Sequence, residues 1–235
     1  MNPNNSKDNQ SFRQNYRGTR IGRFYNGWLH LGFTLSVAVS TIVISLFSIE
    51  NVQAVQYLTI PMTLLYANLV EYFVHKGPMH NPFKGLKIIY QRHATQHHIF
   101  FTDKIMQFDS QRDFKAVLFP PILISFFVVF FALPIGLLTS WIFSSNVALL
   151  FIATSLAYFA TYEILHTLYH VSKNSWIYRF KWMQKMRQLH QNHHRIDLMS
   201  RYNFNITFPI GDLLFGTYYS EPKIKPNQAQ QTDSL

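Results

Sequence analysis

Between Ala116 and Tyr162 lie 47 consecutive residues without an Asp, Glu, Lys or Arg, and two shorter uncharged runs precede them, Phe24 to Ile49 and Asn51 to Val70. A helix needs about 20 apolar residues to cross a hydrocarbon core of about 30 Å. Each shorter run has the length of one crossing. The long run would extend about 70 Å as a single helix, more than twice the core, so it has to double back. Ser144-Ser145-Asn146 is the natural place for that turn. The expectation is an all-α chain with four transmembrane helices, roughly 28–48, 54–74, 117–139 and 147–168. Pro61 and Pro134 fall inside these segments and are expected to kink or locally unwind them, whereas Pro120-Pro121 suits a first helical turn.

The 21 Lys and Arg residues sort by side. Five precede the first segment, seven lie between Lys76 and Lys115, and nine follow the fourth, while the two intervening loops carry none. Positive residues mark the cytoplasmic side, so both termini are expected in the cytoplasm, at a bacterial inner membrane or the endoplasmic reticulum. Membrane orientation and anionic headgroups then explain the net charge of +10, and no nucleic-acid partner is implied. The absence of cysteine excludes disulfides, thiolate metal sites and a cysteine nucleophile. Residues 1–23 are polar and basic, with no removable signal peptide, and they read with the tail 221–235 as flexible ends around one domain, 24–220. Trp176 to Met186 mixes aromatics with Lys and Arg, the composition of a helix lying in the membrane interface.

Ten of the eleven histidines fall into four tight groups on the basic side: His75 and His80; His93, His97 and His98; His166 and His170; His190, His193 and His194. Residues three and four apart share a helix face. His93 with His97, and His166 with His170, therefore read as facing pairs, and His190, His193 and His194 as a triplet aimed at one place. Gly77-Pro78 should end the second segment and let His80 turn back towards the partner of His75. A pair of spans followed by five histidines occurs twice, without further residue similarity. Ten imidazoles exceed what one metal ion can use, so a helical cap holding two metals is expected.

Imidazole suits zinc, copper, iron and nickel alike. Three or four ligands fill a zinc site and would leave histidines over, whereas two irons with about five each, and room for dioxygen, use all ten. Soluble di-iron bundles take two Glu-x-x-His motifs. This chain has one, Glu163-Ile-Leu-His166. Glu163 and Glu71 read as carboxylates able to orient histidine ligands, or as ordinary helix-end acids. His30 reads as structural.

The four motifs in this order, with Glu71-Tyr-Phe-Val-His75 ahead of the first and the closing run Asn203 to Thr217 containing Asp212-Leu-Leu-Phe-Gly-Thr, resemble the fatty acid hydroxylase/sterol desaturase superfamily of integral-membrane non-haem di-iron enzymes. The resemblance covers about 65–220. It implies that His75, His80, His93, His97, His98, His166, His170, His190, His193 and His194 hold two iron ions, with zinc able to substitute in isolated protein. Asp212 would then support the site, by bonding a histidine or by fixing the loop. The implied activity is an iron-dependent monooxygenase that hydroxylates an unactivated C–H bond of a bilayer lipid with dioxygen, electrons coming from a separate donor protein. A desaturase or aldehyde-forming oxidase on the same site is the alternative within the class. A divalent-metal transporter is more remote, since the middles of the third and fourth segments are almost wholly apolar. Tyr66, Tyr72, Phe73, Phe159 and Tyr162 are candidate walls for the lipid.

Overall fold

The computed structural model describes residues 6–221, and these contain helices and turns but no strand. Helix α1 runs Ser6–Thr19, α2 Gly27–Phe47, α3 Thr59–Val74, α4 Lys87–Arg92, α5 Pro121–Ile142, α6 Ser145–Tyr169, α7 Lys181–His193 and α8 Ile210–Leu214. Three of them, α2, α5 and α6, are long and apolar enough to cross a membrane. This makes the chain a multi-pass membrane protein.

The second expected segment differs. Residues 54–58 form a 3₁₀ turn, and α3 has 16 residues, about 24 Å, which falls short of the core thickness. Pro61 is the reason. With no N–H and a fixed φ it sits in the first turn of α3, so the helix starts beside it and is not kinked by it. Pro134 does perturb its helix. The ring cannot donate to the preceding turn, and the backbone widens to a π turn over Val128–Ala132 just ahead of it. Pro120 caps α5, with Pro121 as its first residue. The chain reverses at Phe143-Ser144, where the Ser144 hydroxyl accepts from the Val147 amide and starts α6.

Helix α6 is the central post, against which α2, α3 and α5 all pack. Its small residues Ala148, Ala153 and Ala160 let neighbours come close, as expected where lipid supplies no hydrophobic drive between helices. Gly136 of α5 is part of this fit, because a Cβ there would lie 2.7 Å from Ile152 Cδ1. At the end away from the histidines the two cation-free loops meet: Asn146 Nδ2 donates to the Glu50 carbonyl (2.7 Å) and Gln56 Nε2 to Ser144 Oγ (2.9 Å).

The expectation of a flexible N-terminal segment is corrected for residues 6–19. Asn9, Arg13 and Tyr16 share one face of α1 at helical spacing and are buried against the domain. Arg13 and Arg17 both pair with Asp113, Arg17 Nε lying 2.8 Å from Oδ1. Counting polar residues hid this periodicity. Residues 1–5 and 222–235 lie outside the described residues, so the expected flexible tail falls there. Trp176 to Met186 is a 3₁₀ turn (Trp176–Arg179) followed by α7, broken by the extended Phe180. Met183 and Met186 are buried, while Trp176, Phe180 and Trp182 are exposed beside Lys181 and Arg179.

Candidate metal centre

Two of the histidine motifs do not sit on α-helix. His75–Met79 and His93–His97 are π turns, and in the second the His98 amide donates to the His93 carbonyl five residues back. Pro78 lies within the first. These wide turns bring residues five apart to one place, so His75 joins His80 and His93 joins His98. His93 and His97 therefore part company, contrary to the facing-pair expectation. The triplet divides as well: on α7, His190 and His194 face one way while His193 faces the other.

Two groups result. His75, His80, His93, His98 and His193 place one nitrogen each within 4.8 Å of one another, and so do His97, His170, His190 and His194. His166 flanks the second group, its Nε2 3.2 Å from His97 Nε2. Each half of the chain thus lends one imidazole, His193 or His97, to the group built by the other half. The groups touch, with the rings of His98 and His194 stacked 4.3 Å apart. All ten side chains are buried.

Backbone carbonyls set the ring orientations. Nδ1 of His97 donates to the Ala116 carbonyl (2.9 Å), His170 to Met106 (2.7 Å), His193 to Tyr202 (2.9 Å), His194 to Phe101 (2.6 Å), and His75 to Phe204. A carbonyl can only accept, so these five rings carry their hydrogen on Nδ1 and turn a bare Nε2 inward. Burial, then neighbouring imidazoles, keeps the rings uncharged: His80 is pushed down to about 2, and burial above all takes His97 to about 3 and His193 to about 4. Neutral rings are what a metal requires.

The donor set fits metal ions on a direct test. Nε2 atoms face one another at 2.7 Å (His75 and His93), 3.0 Å (His93 and His98), 3.0 Å (His80 and His193), 3.1 Å (His170 and His190) and 3.1 Å (His190 and His194). Nitrogens about 2.1 Å from one ion and at right angles to it lie about 3 Å apart. His190 Nε2 carries at most one hydrogen yet faces the bare Nε2 of both His170 and His194. One of those contacts sets two lone pairs against each other in a dry interior, and a cation between them removes the repulsion.

The three expected carboxylates bond no histidine among the described contacts. Asp212 accepts from the amides of Phe204 (2.9 Å) and Asn205 (2.8 Å) and from Thr217 Oγ1 (2.7 Å), so it fixes the loop. Glu71 accepts from the Ile206 and Thr207 amides, from Thr207 Oγ1 and from the Tyr158 hydroxyl. Both acids therefore hold the loop whose Phe204 carbonyl receives His75. Glu163 accepts weakly from the Phe119 amide (3.3 Å), and its other oxygen is buried without a hydrogen-bond partner. His30 accepts from Tyr25 and donates to the Phe119 carbonyl, apart from the cluster.

Sequence reasoning missed Asn68. Its amide donates to the Phe208 carbonyl (2.7 Å) and the Tyr158 hydroxyl (3.0 Å), and its oxygen accepts from Gly211. A Cβ on Gly211 would lie 2.8 Å from Tyr72, so α8 seats directly on α3. The visible signal was a lone amide inside an apolar run.

Below His75 and Met79 an apolar cleft of about 320 Å³ opens between α3 and α5, with α6 as its back wall. Tyr66, Phe159 and Tyr162 line it as expected. Tyr72 does not; it is buried against Phe204 and Phe215. Phe73 is exposed elsewhere on α3.

The sequence profile of the fatty acid hydroxylase family matches residues 60–217. The chain belongs to this family. Among solved structures it is similar to full-length Scs7p, of which only the hydroxylase domain is visible, with a TM-score of 0.58 and 20% identity over 85% of this chain and 70% of that one. At that identity the likeness is one of fold. No curated protein matches.

Proposed function

We propose that this chain is a membrane oxygenase whose ten clustered histidines hold two iron ions and which hydroxylates an unactivated C–H bond of a lipid. The observation that carries the reading is two touching groups of neutral imidazoles at the head of an apolar cleft. Bound iron would supply activation of dioxygen, with electrons from a separate donor protein. The chain's own residues do the rest. Backbone carbonyls hold the Nε2 atoms inward, Glu71 and Asp212 keep the 203–207 loop in register behind His75, and the cleft walls exclude water and align a hydrocarbon beneath His75. No general-base constellation for hydrolysis accompanies the cluster among the described residues.

Orientation follows from charge. The cation-free loops meet at one end of the helices and the histidines lie with the cations at the other, which supports a cytoplasmic cap and cytoplasmic termini. Together with the 3₁₀ turn before it, α3 supplies the fourth crossing.

Labelled dioxygen tests the chemistry. Iron-loaded protein given a reductant and membrane lipid should yield an alcohol carrying the label. An unlabelled olefin would point to desaturation, and turnover under strict anaerobiosis would defeat both readings. Metal analysis should find two ions per chain; His97→Ala and His193→Ala should each abolish activity, whereas His30→Ala should keep the metal.

A further inference from the structure

One face of α6 carries Phe151, Ser155, Tyr158, Phe159 and Tyr162, spaced four, three, one and three residues apart, and all five line the cleft. Four are aromatic. Ser155 alone is small, and it lies between Phe151, one turn deeper, and Tyr158 and Phe159, one turn nearer His75. The cleft has its depth at that level because nothing on α6 fills it there. The lining reaches no deeper than Phe151 on α6 and Ile135 on α5. From Tyr162 to Phe151 is eleven residues, about 16 Å at the usual helical rise. The walls are apolar along that length, which suits a hydrocarbon chain. Tyr66 and Val70 on α3 and Phe131 on α5 are exposed on its open side, so a chain enters sideways from the bilayer.

We infer that Ser155 is a specificity-determining residue: its small side chain sets how far below the histidines a hydrocarbon chain reaches, and so which chain lengths are accepted. The inference takes the cleft as the lipid site of the proposed oxygenase. It predicts that bulk at this one position shortens the preferred chain without disturbing the metal centre, some turns away.

The test uses the full chain, metal-loaded, in lipid nanodiscs, with photoreactive fatty acids carrying a diazirine at the methyl end. In the natural protein the label should fall on peptides containing Phe151, Ser155 or Ile135, and unlabelled fatty acids of increasing length should compete with increasing strength. Each methylene that loses its place weakens binding about fourfold. Ser155→Phe should therefore cost long chains about tenfold or more relative to short ones. Ala157→Phe, which puts the same bulk on the exposed face of α6, should leave the order of chain lengths unchanged. If Ser155→Phe loses its metal, Ser155→Leu must give the same shift in the same direction. Equal weakening of every chain length, or labelling confined to the outward face of α2, would overturn the inference. Cross-linking needs no turnover, so labelling in the cleft without hydroxylation would count against the proposed reaction and leave the chain-length role standing.

Discussion

An imidazole can serve as a ligand or carry a proton, and burial decides which. That ten histidines gather in one place was legible in the sequence from their grouping alone. Their partition was not, because it depends on two π turns that no 3.6-residue periodicity encodes, and on carbonyls whose sequence positions carry no signal. The residue-scale consequence is acid sensitivity. Apart from His166, which lies within a span, the cluster histidines all bind protons less readily in the fold than the ordinary imidazole value of about 6.5, burial being the main cause. The unfolded chain therefore takes up protons that the fold refuses. The histidine contribution to stability is full above about pH 6.5 and falls as the pH drops below it, by about 1.4 kcal/mol per pH unit for each imidazole. Several such residues together exceed a typical net stability of about 5–15 kcal/mol within one or two pH units. Metal-free protein should show a thermal midpoint that drops steeply between pH 6.5 and 5, followed by near-ultraviolet circular dichroism. A midpoint that rose on acidification would contradict the neutral cluster.

Among the elements, α2, α5 and α6 could be read from uncharged length, and the reversal before α6 from its serines. Helix α1 could not, because its buried face is made of Asn9, Arg13 and Tyr16, residues that composition counts as mainly polar. Its partners lie about a hundred residues away, where no local pattern reveals them. That helix braces the second histidine group. Asn9 donates to the Ile99 carbonyl (2.6 Å) and Arg13 to that of Gln107 (3.1 Å), on the strip whose Phe101 and Met106 carbonyls orient His194 and His170. Asp113, fully buried, ties the brace down by accepting from Arg13, Arg17 and the Asp109 amide. Removing one partner of a buried ion pair costs about 3–5 kcal/mol. Asp113→Ala should lower stability by that order, open α1 to protease, and reduce the amount of metal bound per chain. An unchanged melting temperature with full metal content would show that α1 contributes nothing to the site.

The whole molecule is organised by which side of the bilayer each polar group faces. In the proposed four-crossing reading, a chain that leaves the histidine side through α2 recrosses before His75, since His80 faces His193 at 3.0 Å and His75, His80, His93 and His98 share a group with it. The 3₁₀ turn of residues 54–58 adds about 10 Å to the 24 Å of α3, which brings this passage to the thickness of the core. Length alone ranks α3 below the three long apolar helices, whereas the histidine contacts hold its C-terminal end at the cluster and the Gln56–Ser144 bond holds the turn before it at the opposite end of the helices. The absence of cysteine makes this testable without background. Glu50 and Lys173 are both exposed, one in the loop after α2 and the other beyond α6 on the histidine side. With a thiol reagent that cannot cross membranes and sealed vesicles whose cytoplasmic face is outward, Lys173→Cys should react directly, and Glu50→Cys only after permeabilisation. Reaction of both from the same side would mean that only α5 and α6 cross between them, so that α3 is not a crossing, and the four-crossing reading would fail; the reverse pattern of reaction would overturn the orientation drawn from the cations.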